Sequence, residues 1–357
     1  MSTTIRHLRL QNQHLATQTL KDPVAVLRSL VAVQAQDYYG AKWALAQRTT
    51  GCTDERVEKA FTEGKILRLH VMRPTWHFVT PEDIRWLVTL TAPRVNVASS
   101  HAYRIAELDQ STFKITNKAI TKALQGGRHL TRAELREVVA RAGVNPGDSM
   151  RLGYIMHRAE LDLVICSGAR RGNQFTYALL DERAPKSKTL EADEALGELT
   201  ERYFSTRGPA TLNDYVWWSG LTKAQANKGI EIAGRGLRGE IVDDKTYFSG
   251  AKRSQNRTVK GVFLLPTYDE YFIAYKDRSA GMHPQFSQAT AGQVIFNAPI
   301  VIDGRVVGGW KRALERERVR VEIKQFLPFS KSERASVRTA VQQYANFLQS
   351  ELSLDWL

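Results

Sequence analysis

Two glutamines stand two residues apart in the stretch LVAVQAQDYYGAK: Gln34 and Gln36, with Asp37 directly behind them. Each side chain offers an acceptor oxygen and two N–H donors, yet neither titrates near neutral pH. Such a pair can hold a water and a polar edge of a substrate, but it cannot act as a strong general base. Asp37 adds a carboxylate that could activate water or, equally, cap the turn that follows. Spacing decides whether the two amides can cooperate. In an unbroken helix residues i and i+2 diverge by about 200°, whereas in an extended segment they project to one side. A helix ending near Gln34, followed by extended chain towards Gly40, would bring both amides to one substrate, and this is the geometry expected. The competing reading is that the amides satisfy backbone groups at a helix end.

The elements that must position this stretch repeat three times with little residue identity: helix, helix, then an alternating hairpin. Asp22 before Pro23 is an N-cap followed by proline at the first helical position, and Val26, Leu27, Leu30 and Val31 form one apolar face behind it. Short helices are expected near residues 43–46 and 53–61. KILRLHVMRPTWHFV then reads as two strands around a turn at Met72, Arg73 and Pro74, and Thr80 opens the next helix. In the second repeat Thr131 and Glu134 make a capping box, with Leu130 and Leu135 as its hydrophobic staple. A helix from about residue 149 to 162 precedes LVICSGARRGNQFTYALL, two strands around a tip that holds Arg170 and Arg171. In the third, Thr211 with Asp214 and Thr222 with Gln225 start two helices separated by Gly220, and a hairpin turns at residues 243–245.

Helix-turn-helix plus hairpin is the winged-helix plan. The expected fold class is therefore α+β: three tandem winged-helix units in a C-shaped DNA-binding body, with a β-rich C-terminal part. The segments are 1–108, 109–188, 189–258 and 259–357, the last ending in a helix capped by Ser330 and Glu333. A helical solenoid or unrelated α+β domains are the alternatives.

The charge supports a polyanionic partner. Across 357 residues, 51 Lys and Arg face 37 Asp and Glu, a formal charge of +14, and such an excess seeks anions. Nucleic acid leads. No run of about 18 apolar residues and no leader pattern at residues 1–11 points to a membrane, so a cytoplasmic, nucleoid-associated chain is expected. Cys52 and Cys166 are too few for a disulfide framework or a metal site; both are expected reduced and buried.

Four segments together, LVAVQAQDYYGAKWALAQR, LRLHVMRPTWHFVTPEDI, LLPTYDEYFIAYKDRS and VIDGRVVGGWKR, resemble the AlkZ-type winged-helix DNA glycosylases of bacteria. The likeness spans nearly the whole chain in the same order. It implies three winged helices curved around DNA, and a signature of Gln, a hydrophobic residue and Gln that falls on Gln34, Ala35 and Gln36; a related branch carries Asp at the last place. It further implies removal of N7-alkylguanines, with interstrand crosslinks among the candidate lesions. An N7-alkylated base is already cationic and leaves without protonation, so positioning a water supplies much of what N-glycosidic cleavage needs. Asp37 could then stabilise charge on the sugar. No lysine stands beside the motif, which disfavours a Schiff-base lyase. The expected activity is a monofunctional glycosylase acting as a monomer on double-stranded DNA with alkylated bases. A non-catalytic winged-helix regulator and an RNA-binding scaffold are the rivals.

Arg73, Trp76 and His77 on the first hairpin, Arg170 and Arg171 on the second, and Lys252, Arg253, Arg257 and Lys260 in an acid-free stretch are the candidate DNA contacts. Trp76 and Phe78 share a strand face and compete as core. His70 and His77 have no Cys, Asp or Glu at ligand spacing, so no metal and no cofactor are expected. Asp269, Glu270 and Asp277 could form a paired-carboxylate site, with ion pairing to Lys276 or Arg278 as the alternative duty.

Overall fold

The structure, a computed structural model, describes residues 2–252, 258–283, 285, 298–315 and 318–357. Two compact units divide the chain. The first takes residues 1–58, 197–218 and 223–357; the second takes 59–196 and 219–222.

In the first unit, Asp22 accepts from the Val24 N–H and starts the helix Pro23–Leu30, which buries Val24, Val26, Leu27 and Leu30. This helix ends earlier than the sequence suggested. Val31 turns at φ +66° and ψ −57°, and Ala32–Gln34 is a short strand. The helix Tyr38–Ala46 starts behind an Asp37 cap, so the extended path stops short of Gly40.

The third repeat lies largely in the same unit. The helix Leu212–Ser219 leads to Lys223–Ala233, then to the hairpin strands Leu237–Val242 and Lys245–Gly250. Ala210 and Phe248 exchange backbone hydrogen bonds of 3.0 and 2.8 Å, a single antiparallel bridge from the chain ahead of the helix Leu212–Ser219 to that hairpin.

The β-rich C-terminal part is a five-stranded sheet in the order Glu351–Trp356, Arg318–Gln325, Arg305–Leu314, Pro299–Ile302 and Val262–Leu264. The expected last helix is Lys331–Leu348, and Ser330 and Glu333 close its capping box. It is followed by one more strand, residues 351–356, which pairs in parallel with residues 318–325. A parallel neighbour needs a crossover, and the helix is that crossover. Its Tyr344 and Phe347 pack on Trp43 at 5.0 and 5.1 Å between ring centres, and Trp43 Nε1 donates to the Leu264 carbonyl at 2.7 Å. The C-terminal sheet thus supports the helix that follows the two glutamines.

In the second unit the strands Leu67–Val71 and Arg73–Val79 pair tightly around Met72, whose φ is +63°. Thr80 does not open the next helix; it forms a turn with Asp83, and the helix runs Ile84–Ile105. The elements of the second repeat stand in the expected order. Helix Gln110–Leu124, strand Leu130–Thr131, helices Arg132–Arg141 and Ser149–Leu161, and strands Ile165–Ser167 and Thr176–Leu179 follow in order, with the last strand central in the sheet. The Thr131 and Glu134 capping box is formed as expected. Phe113, Ile120, Leu135, Val139, Ile155 and Ile165 form its core.

Candidate active site

The Gln34 to Gln36 stretch is held by backbone clamps on the side of Gln34 and by a cap on the side of Gln36. Val31, just before it, sits in γ-turn geometry that a β-branched residue rarely adopts, at a cost of about 1–3 kcal/mol. What holds it is Arg207. Its guanidinium donates to the Leu30 and Ala32 carbonyls, both at 2.9 Å, on either side of Val31. Arg207 is completely buried and pairs with Glu270 Oε2 at 2.7 Å, while its guanidinium lies 4.3 Å from the Trp218 ring centre. Trp218 Nε1 donates to the same oxygen at 2.9 Å. The other oxygen, Oε1, accepts the Gln34 N–H at 3.2 Å. One buried ion pair therefore fixes the chain from Leu30 to Gln34.

Beyond the motif, Asp37 accepts the Gly40 N–H at 3.0 Å and two contacts from Arg312, both at 3.1 Å. A Cβ on Gly40 would lie 2.4 Å from the Asp37 carboxylate and 3.1 Å from Pro266, so a larger residue there would push the carboxylate out of its cap. The capping reading of Asp37 therefore describes its contacts. Between the clamps, exposure alternates: Val33 buried, Gln34 half-buried, Ala35 buried, Gln36 exposed. That is the pattern of extended chain with Ala35 facing inwards, and the buried side has room for a small residue.

The carboxylates of the YDEYF segment differ in partner from the sequence reading. Asp269 takes a bidentate pair with buried Arg48 at 2.8 and 2.9 Å, Glu270 pairs with Arg207, and Asp277 with Lys245 at 2.9 Å. Lys276 and Arg278 are not the partners these contacts use. Asp269 and Glu270 are buried among structural cations, which removes them from general acid–base work. Lys42, the lysine nearest the motif, is buried with its Nζ 2.8 Å from Asp54 and 2.7 Å from Glu58. An amine so engaged is a poor nucleophile.

The remaining candidates are dispersed. Arg73 and Trp76 are half-buried on their hairpin, and the Arg68 guanidinium lies 4.4 Å above the Trp76 ring. His77 is the correction: it is fully buried, its Nδ1 donating to the Thr75 carbonyl at 2.9 Å, so it presents nothing to a phosphate. Arg170 rests over Phe175 at 5.3 Å, and exposed Arg171 pairs with Glu134 at 2.9 Å. Lys252 and Lys260 are exposed; Arg253 and Arg257 lie outside the described residues. His70 does meet a carboxylate, Glu160, which spacing along the chain could not reveal. Among the described residues no group of three or more His, Cys, Asp or Glu could hold a metal ion, and no helix is long and apolar enough to cross a membrane. Both cysteines are free; Cys166 is buried as expected, but Cys52 is only half-buried.

Reasoning from sequence missed Arg207 and Arg312, whose partners lie far away along the chain. The acidic YDEYF cluster was the signal for Glu270, read with the wrong partners.

Comparison with known proteins places the chain in a family. The family model described as DNA glycosylase AlkZ-like matches residues 27–347. A curated relative from Streptomyces sahachiroi, named interstrand DNA cross-link repair glycosylase, is 26% identical over 361 residues, covering 95% of this chain and 93% of its own. The solved structure of Streptomyces sahachiroi DNA glycosylase AlkZ superposes with a TM-score of 0.82 at 21% identity, covering 99% of both chains.

Proposed function

The chain belongs to the AlkZ-like DNA glycosylase family, and from that premise we propose that it hydrolyses the N-glycosidic bond of alkylated purines through Gln34 and Gln36. The enzyme is a DNA glycosylase and DNA is its substrate. The finer reading, cationic or bulky N7-alkylguanine, rests on chemistry. The observation that carries it is the Gln-Ala-Gln stretch pinned by the buried Arg207 and Glu270 pair.

A cationic base departs as a neutral molecule, so no acid need protonate it. What remains is to hold a water against the sugar as positive charge develops there, and two oriented amides offer the acceptors and donors for this. Asp37 contributes by fixing the turn through Gly40 and Arg312, and its negative charge beside the motif favours a sugar cation. With Lys42 bound to two carboxylates, the route is hydrolysis without a covalent imine. The relative's name includes cross-link repair; unhooking a crosslink through two N7-guanines would be the same bond cleavage, and we include it among the substrates. The enzyme acts as a monomer in this reading, in the bacterial cytoplasm at the nucleoid, with winged-helix repeats at 1–108, 109–188 and 189–258 ahead of a β-rich part at 259–357.

The substrate claim is tested on duplexes carrying one N7-methylguanine or one uracil. Excision of N7-methylguanine should be far faster, because uracil departs with negative charge that two amides stabilise poorly. Comparable excision of both would reject a mechanism that relies on a cationic leaving base.

Contacts to the DNA backbone are assigned to Arg73, Trp76, Arg170, Arg171, Lys252 and Lys260, with Arg253 and Arg257 as further candidates. Log affinity should fall linearly with log salt, and Arg170→Ala or Lys252→Ala should each reduce the slope by about 0.9. An unchanged slope in both variants, measured by fluorescence anisotropy, would remove those residues from the interface.

A further inference from the structure

The helix Gln110–Leu124 in the second unit buries Phe113, Thr116, Ile120 and Leu124. Lys114, Lys118 and Lys122 are all exposed, and their spacing of four residues sets them in one row about 12 Å long on the face away from that core. Among the described residues, none of the three ammonium groups makes an ion pair or a hydrogen bond. Arg128 adds a cation at the end of the helix, its guanidinium donating to the Gln125 and Lys122 carbonyls, both at 3.1 Å. From residue 110 to residue 133 the sequence carries five Lys and Arg and no Asp or Glu. The acids that do touch this helix and its end have other duties. Asp109 caps the N-terminus through the Thr112 N–H, Asp162 takes Arg158 and the Asn117 amide, and Glu182 takes the Gly126 and Gly127 N–H groups.

Elsewhere in this chain helical cations meet an acid one turn away, as Arg158 meets Asp162 at 2.7 Å and Arg202 meets Glu198 at 3.4 Å. Like charges one turn apart repel and weaken a helix. The lysine row keeps that repulsion, and a polyanion lying along it would relieve it. One DNA strand carries a phosphate about every 3.4 Å of helix axis, so the row spans about three to four of them. Lysine, a flexible point charge, suits phosphates whatever the sequence. A winged-helix plan turns its second helix and its wing to DNA; the helix Gln110–Leu124 is neither. We propose that its lysine face is an additional, sequence-independent docking surface for the DNA backbone. The inference rests on DNA being the substrate and not on the chemistry of Gln34 and Gln36.

Fluorescence anisotropy of the full chain on an undamaged duplex, over a series of salt concentrations, tests it. The triple variant Lys114→Gln, Lys118→Gln, Lys122→Gln should lower the slope of log affinity against log salt by about 2 to 3, at about 0.9 for each lost contact. The matching triple replacement by arginine should keep the wild-type slope. A control variant, Lys59→Gln, Lys65→Gln, Lys245→Gln, removes the same charge from lysines already paired with carboxylates, and its slope should stay close to wild type. The glutamine variant should keep its urea midpoint, because repulsion within the row is relieved, and its single-turnover excision at saturating enzyme should match wild type. An unchanged slope, an equal loss in the control, or weakened binding to phosphatidylserine vesicles with DNA binding intact overturns the proposal. A flat salt response in wild type would remove the DNA reading and this surface with it, whereas a steep wild-type slope that the glutamine variant retains overturns the surface alone.

Discussion

Gln34→Ala and Gln36→Ala should each lower excision of N7-methylguanine by about a hundredfold, a typical cost of a misplaced reactant. DNA affinity should stay close to wild type, because affinity is dominated by phosphate contacts to which a neutral amide adds little. The two glutamines should not be equivalent in stability. Gln34 is half-buried and its backbone is tied to Glu270, whereas Gln36 is exposed; truncating Gln36 should leave the urea midpoint unchanged. Single-turnover excision and anisotropy on the same preparations separate the effects. Parallel loss of affinity and excision, with a lowered urea midpoint for both variants, would assign the glutamines to the scaffold.

The second large effect concerns the clamp. Glu270→Ala leaves the Arg207 charge wholly buried without its carboxylate, and breaking a pair of this kind costs about 3–5 kcal/mol. Stability alone would not prove positioning, so the informative variant is the double replacement Arg207→Met with Glu270→Leu. Apolar residues of similar size commonly restore the stability of a buried pair. Here they cannot restore function, since the donors to the Leu30 and Ala32 carbonyls and the acceptor for the Gln34 N–H are gone. Val31 is then free to leave its strained turn, and the glutamines lose their register. The expected result is a urea midpoint above that of Glu270→Ala but below wild type, because the Leu30 and Ala32 carbonyls and the Gln34 N–H lose their partners, with excision still strongly reduced. Recovery of excision would show that the pair serves the fold only.

How much of this could be read along the chain depends on the range of each interaction. Caps are local, and Asp22, Thr131 with Glu134, and Ser330 with Glu333 stand where their residue types indicated. The repeated helix, helix, hairpin order was legible for the same reason, since turns and periodicity are written in neighbouring residues. The end of the first motif helix was not. Nothing local stops that helix at Leu30; Arg207, 177 residues away, stabilises the turn at Val31 by gripping the Leu30 carbonyl. Similarly, Asp269 and Glu270 could be recognised as unusual, but their partners Arg48 and Arg207 are brought to them only by folding. The final strand Glu351–Trp356 also went unread, because its pairing is parallel and needs the preceding helix to carry it back to the sheet. His77 misled because strand alternation places a residue on a face without saying that the face is covered.

The proposed chemistry is hydrolysis of the glycosidic bond by a fixed pair of neutral amides. Its most direct test is product analysis on a duplex with a single end-labelled N7-methylguanine strand. Hydrolysis predicts free 7-methylguanine and an intact abasic strand, cleaved only after alkali or an abasic endonuclease, with no covalent complex trapped by borohydride and no release by the Gln34→Ala, Gln36→Ala double variant above background. Strand scission without alkali, or a borohydride-trapped enzyme that disappears on replacing Lys42, would contradict it, because an amine nucleophile would then be doing the work assigned to the amides.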